Sequence, residues 1–176
     1  TAGIANPYQW RAPYVKDSVT YNEGLRTDKR DDRASYVYGQ KELWYINSIE
    51  SKNMIATFKL ASCADRLPAD ETGAKQTSTA SQKLVEINLY SKADLLQNND
   101  KAKPIKTIHF DYAYSLCRGI NGSINDSGKL TLVDIYFTYN GGSKKQNYYK
   151  FYYNGINPRY STKSTDRWGT YKDPLD

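Results

Sequence analysis

Three groups of residues in this 176-residue chain are of types that do chemistry. His109 is the single histidine, and Cys63 and Cys117 are the two cysteines. A histidine within hydrogen-bond reach of a thiol makes a nucleophilic pair. His109 and Cys117, however, fall on one predicted strand eight residues apart, which is about 27 Å at ~3.4 Å per residue. They cannot meet unless that strand breaks, and a histidine on the polar face of a sheet is the simpler reading. Asp111 shares that face two positions on, yet no Gly-x-Ser-x-Gly motif supplies a serine nucleophile to complete a triad. Asp111 and Asp134 lie on neighbouring predicted strands and could stand the roughly 5–10 Å apart that glycoside hydrolysis uses. Almost any two acids in a sheet meet that condition, so the spacing alone has little specificity.

Two further chemistries are open to the same kind of reading. The loops at 94–100 and 121–126 cluster oxygen ligands of the sort calcium takes. Neither has EF-hand spacing, and turn formation accounts for the same residues, so neither a metal nor a cofactor is expected. Aromatic side chains recur at Tyr148, Tyr149, Tyr152, Tyr153, Trp10, Trp44 and Trp168. Of these, Tyr148, Tyr152 and Trp168 are the candidates for stacking against sugar rings. Aromatics on strands are more often cross-strand pairs, and Trp44, Tyr112 and Trp168 are expected to be structural.

The elements that must position these groups are strands. Between Lys103 and Tyr153, three runs rich in Ile, Val, Thr, Phe and Tyr are separated by two clusters of Gly, Asn, Asp and Ser. That pattern predicts consecutive antiparallel strands joined by turns. In the first run Ile108, Phe110, Tyr112, Tyr114 and Leu116 alternate with Thr107, His109, Asp111, Ala113 and Ser115. In the second, Thr131, Val133, Ile135, Phe137 and Tyr139 alternate with Leu132, Asp134, Tyr136 and Thr138. A period of two sets each group on one side of a pleated sheet. Asn125-Asp126-Ser127-Gly128 and Asn140-Gly141-Gly142 supply turn residues, which makes Gly128 a structural position.

Upstream, Leu43–Ile49 and Met54–Leu60 predict a hairpin around Glu50-Ser51-Lys52-Asn53. Residues 64–82 are polar and aperiodic and predict a long surface loop, with disorder as one form it could take. Lys83–Tyr90 returns to strand character, with Val85, Ile87 and Leu89 on one face. Ser91-Lys92-Ala93-Asp94 then resembles a capping box and predicts a short helix through Leu96, ended by Asn98-Asn99-Asp100. Residues 1–35 show little periodicity and are read as an extended lead-in, with an edge strand possible over 14–21. Residues 36–176 are read as a single β-rich domain.

The totals narrow the function classes. The apolar fraction is only 39%, and 17 Tyr outnumber 4 Phe, a tyrosine-rich composition suited to sheets with one wet face. A formal charge of +6 comes from 25 basic and 19 acidic residues with no block of one sign, so nucleic acid is not an expected partner. No run approaches the ~20 apolar residues of a membrane helix, and none reads as a signal peptide. Two cysteines leave a disulfide or two thiols equally open, with Cys117 read as structural. The start at Thr1 rather than Met suggests a piece of something longer.

Several motifs occur in a fixed order: Ile4–Arg11 (IANPYQWR), Tyr38–Ser51 (YGQKELWYINSIES), Ile108–Cys117 (IHFDYAYSLC), Gly128–Leu132 (GKLTL) and Asp166–Gly169 (DRWG) followed by Tyr171. Together they resemble a segment of very large secreted or surface proteins of Bacteroidetes related to the Rhs/YD-repeat family. The resemblance covers residues from about 4 to 172. It implies β-rich shell or scaffold material built of hairpins, used to enclose or display a separate effector, with the rest of a parent polypeptide as partner. No motif of that family's effector or self-cleaving core is present.

The expectation is therefore an all-β chain, an antiparallel sheet of hairpins and meander with at most one or two short helices. It is expected to form a sandwich or a curved Rhs-like sheet. In function it reads as a non-catalytic structural or display segment of a secreted or cell-surface protein. A carbohydrate-binding module using Tyr148, Tyr152 and Trp168 is the second reading, and a hydrolase on Asp111 and Asp134 the third.

Overall fold

The computed structural model describes residues 7–12, 14, 37–77, 79–120, 122–155, 157–159, 168 and 170–171. The edge strand considered over 14–21 lies, apart from Tyr14, outside them. Strands β1 (Tyr8–Ala12) and β2 (Val37–Lys41) pair antiparallel as a two-stranded sheet, so the segment read as a lead-in contributes a strand. The remaining strands form one six-stranded sheet: β3 (Ser48–Glu50), β4 (Met54–Ser62), β5 (Gln82–Ser91), β6 (Lys106–Ala113), β7 (Thr131–Tyr139) and β8 (Gln146–Lys150). Spatial order equals chain order and every pairing is antiparallel. The all-β meander expected from the alternation is thus the fold.

One helix interrupts it, α1 (Lys92–Asn98), followed by a 3-10 turn at Asn99–Lys101. Ser91 sits at the N-cap without a side-chain bond. The capping residue acts elsewhere: Asp94 accepts from Asn98 Nδ2 at 2.7 Å, one turn along. Asn99 ends the helix at φ 46°, a left-handed conformation that asparagine tolerates. The hairpin predicted before β4 is present, but its first strand is confined to Ser48–Glu50. Trp44, expected to be structural, is 83% exposed just ahead of this edge, where no neighbouring strand or layer covers it among the described residues.

Register separates two faces. On one, Phe58, Ile87, Ile108 and Phe137 form a continuous cross-strand row, flanked by Ala56–Leu89–Lys106–Tyr139 and by Phe110–Ile135–Tyr149. On the other, Lys59, Glu86, His109 and Tyr136 are aligned, beside Thr57–Asn88–Thr107–Thr138. Bulges modify this alternation. The register shifts once between Lys59 and Leu60, where Val85 is the extra residue, and once between Asp111 and Tyr112, where Val133 is. Each bulge inverts the parity of the residue beyond it. Leu84 therefore pairs with Leu60, and Leu132 with Tyr112, on the apolar side. The sequence pattern alone had set Leu132 beside Asp134.

The main contacts of the sheet are between neighbouring strands, with α1 packed against β5, so the described elements do not build a second layer on it. Phe58, Ile87, Ile108, Phe110, Ile135 and Phe137 are accordingly only half-buried. The buried apolar residues are instead Cys63, Leu67 and Ala69, with Pro68 between them. The segment 64–82 is a loop, as expected, and much of 71–77 is exposed, but its first part, through Ala69, is largely buried. It holds the core because several strand ends and loops converge on it. Ala64 N donates to Tyr114 Oη at 3.1 Å, and Leu130 N donates to Asp65 Oδ2 at 2.9 Å. Leu67 N donates to Gly122 O at 3.0 Å, and Ala69 N donates to Gln9 O at 3.2 Å. The Tyr14 hydroxyl donates to the carbonyls of Leu67 and Pro68 at 3.0 and 3.1 Å. Burial, ahead of the Tyr8 and Asp70 charges, pushes that phenol up to about 12.

Asp70 organises the rest of the loop. Its Oδ1 accepts from Thr72 Oγ1 at 2.7 Å and from the amides of Thr72 and Ala74 at 2.9 Å. These bonds, the Thr72 hydroxyl first, hold the carboxyl below its ordinary 3.8. Side-chain capping of backbone amides explains why a polar run makes a fixed structure.

Candidate functional site

The chemistry-bearing residues converge on the polar face of β4–β8. Glu86 bridges Lys59 Nζ at 3.3 Å and His109 Nδ1 at 3.7 Å. His109 Nε2 lies 2.9 Å from Thr138 Oγ1. The imidazole stacks on Tyr136 with centroids 4.6 Å apart and planes at 10°, and Tyr136 faces Tyr148 at 6.0 Å and 16°. The first spacing matches the ~4.8 Å between strands, so the rings stand side by side on adjacent strands. Lys145 Nζ is 4.0 Å from the Tyr136 centroid, 6.0 Å from that of Tyr148 and 3.8 Å from Asp111 Oδ2. A cation so placed gains from both the ring quadrupole and the carboxylate.

A third bulge puts Tyr148 in this row. β8 gains one residue between the pairs Ile135–Tyr149 and Phe137–Gln146, and Asn147 lies at φ 48°. The next row is Asp111–Asp134–Lys150. The Asp134 carboxylate, as acceptor and as a negative charge, pushes the Tyr148 phenol up to about 12.

This arrangement constrains what the face can do. Stacking on a sugar needs an aromatic ring with a free face. Here His109 and Tyr136 stack on each other, Lys145 lies over Tyr136, and Tyr148 is the last ring of the row. Tyr152 is 84% exposed beyond β8, with Lys150 Nζ 5.7 Å from its ring. Trp168, expected to be structural, is 76% exposed, away from the buried residues of the 63–69 loop. Asp111 and Asp134 are directly opposite each other on adjacent strands, whereas glycosidase acids flank a bond held between them. Lys145, 3.8 Å from Asp111 Oδ2, offsets part of the like-charge repulsion of such a pair.

The cysteines stand apart from this face. Cys63 is buried and its Sγ accepts from Arg66 Nη2 at 3.0 Å; both thiols are free. Cys117 sits half-buried past the end of β6 at φ 50°. Tyr112 is half-buried, with Lys83 Nζ 5.4 Å from its ring. Gly128 is buried against backbone: a Cβ there would lie 1.9 Å from Leu116 O. No group of three or more His, Cys, Asp or Glu side chains with metal-binding geometry occurs among the described residues.

Sequence reasoning located His109, Asp111, Asp134 and Tyr148 but not Glu86, Thr138 or Lys145. Alternation in β5 and β7 assigned faces to Glu86 and Tyr136, and only the register could make them neighbours of His109. Compared with known proteins, the chain matches no family model, no curated protein and no solved structure.

Proposed function

We propose that this chain is a non-catalytic structural or display segment of a large exported polypeptide of the Rhs/YD-repeat kind, secreted or held at the cell surface. The observation that carries the reading is a six-stranded sheet in a single layer, with its apolar core confined to a loop. Stable domains bury a sheet face against a second layer, and this sheet has none among its described elements. Among the described residues its outer strands, β3 and β8, each have one paired side only, and the parent polypeptide would continue the sheet from them. The polar face fits the same role, since Glu86 is paired with Lys59 and His109, and Asp111 with Lys145.

The test is hydrogen exchange on the 176-residue chain beside a longer parent polypeptide. Amides of β3 and β8 that exchange rapidly in the shorter protein should become protected in the longer one. Equal exchange in both would overturn the reading. A glycan array with Tyr148→Ala and Tyr152→Ala addresses the carbohydrate alternative: retention lost in both variants would replace the scaffold by a sugar-binding module.

A further inference from the structure

We propose that the apolar face of the six-stranded sheet is closed by the same face of a second copy of this chain, forming a two-layer sandwich. Three of the four phenylalanines, Phe58, Phe110 and Phe137, lie on this face. With them are Ala56, Leu60, Leu84, Ile87, Leu89, Ile108 and Ile135. Both β5 and β7 bulges add a leucine to it, so two departures from regular pairing enlarge the same apolar surface. Its charged residue in these rows is Lys106, at the start of β6, whose ammonium lies 4.1 Å from the Phe137 ring centroid. The ammonium thus covers the ring of Phe137, at the β7 end of the central row.

Area and symmetry both suit a second copy. Six strands about 4.8 Å apart and averaging roughly 24 Å long present about 700 Å² on one face. Two such faces remove about 1,400 Å², within the ~1,200–2,000 Å² of a stable interface. The central row reads Phe58–Ile87–Ile108–Phe137, the same from either end. A two-fold axis along the strands, between β5 and β6, sets Phe58 opposite Phe137 of the second copy and Ile87 opposite its Ile108. Sheets packed this way lie about 10 Å apart, and an isologous contact closes at two copies.

The experiment is sedimentation velocity on the 176-residue chain from about 1 to 100 μM, with cross-linking as an independent measurement. Wild type should dimerise with rising concentration. Ile108→Lys, which places an ammonium at the centre of the face, should raise the dimer Kd by about 100-fold or more. Thr57→Lys, on the opposite face, should leave it within about threefold. A photoreactive phenylalanine at position 58, in a mixture of isotopically light and heavy chains, should form light–heavy cross-links into β7. A wild-type monomer at 100 μM, open-ended polymers, or cross-links only within one chain would each overturn the proposal. None of these outcomes bears on the exchange protection of β3 and β8, so the reading of the chain as part of a larger polypeptide is tested separately.

Discussion

Replacing Gly128 by alanine puts a single carbon where the backbone leaves no room. The added Cβ would lie 1.9 Å from Leu116 O and 2.8 Å from Tyr114 O. The same crossing is held by two short hydrogen bonds, Gly128 N to Tyr114 O at 2.7 Å and Lys129 N to Leu116 O at 2.8 Å. Restoring an ordinary carbon–oxygen contact needs the two segments to part by more than ~1 Å, which takes both bonds beyond hydrogen-bonding range. Each bond contributes about 1 kcal/mol net, and leaving its buried partners unsatisfied adds to that, so the expected loss is about 2–4 kcal/mol. For a domain of this size that corresponds to a fall in Tm of roughly 5–15 °C. Denaturant and thermal melts at one fixed protein concentration measure it. Gly155→Ala is the control, because nothing lies within 4 Å of a Cβ there, and its effect should stay within about 0.5 kcal/mol. A Gly128→Ala protein as stable as wild type would refute the reasoning.

The Tyr148 phenol, pushed up to about 12 by Asp134, should titrate above an ordinary tyrosine. Because the folded-state value is raised, its stabilising contribution is complete below pH ~10 and is lost as the pH climbs through about 12. NMR titration of Tyr148 should show Asp134→Asn returning it toward 10, and an unchanged midpoint in that variant would contradict the assignment. Trp168→Ala should change stability by only about 0.5 kcal/mol or less, since the side chain is 76% exposed; a loss near the ~3–5 kcal/mol of a buried tryptophan would place it in a core. Native protein should contain two free thiols, with Cys63 alkylated by iodoacetamide only after unfolding, because it is buried. Mass spectrometry that finds Cys63 labelled as fast as Cys117 in the folded state would overturn that.

The sequence by itself determined the strands and the sidedness of the central ones. Ile108 and Phe110 alternate with His109 and Asp111, and that alternation is local: the pleat dictates it wherever the strand ends up. The turn at Asn140-Gly141 was legible for the same reason, since Asn140 and Gly141 both adopt positive φ, at 54° and 68°. The short helix after Ser91 was legible too, although the hydroxyl that signalled it makes no cap. Register was not legible. The extra residues at Val85, Val133 and Asn147 carry no local mark, because a bulge is defined by the strand opposite. Yet those bulges move Leu84 and Leu132 to the apolar face and bring Tyr148 to Tyr136. The stack on His109 and the ion pairs around Glu86 and Lys145 depend on the same pairings. Burial was likewise decided in three dimensions. A polar loop holds the core because distant segments meet at Cys63–Ala69, while an apolar strand face stays half-exposed because no second layer of described elements covers it. Trp44 and Trp168 look like core residues by type, yet they are 83% and 76% exposed.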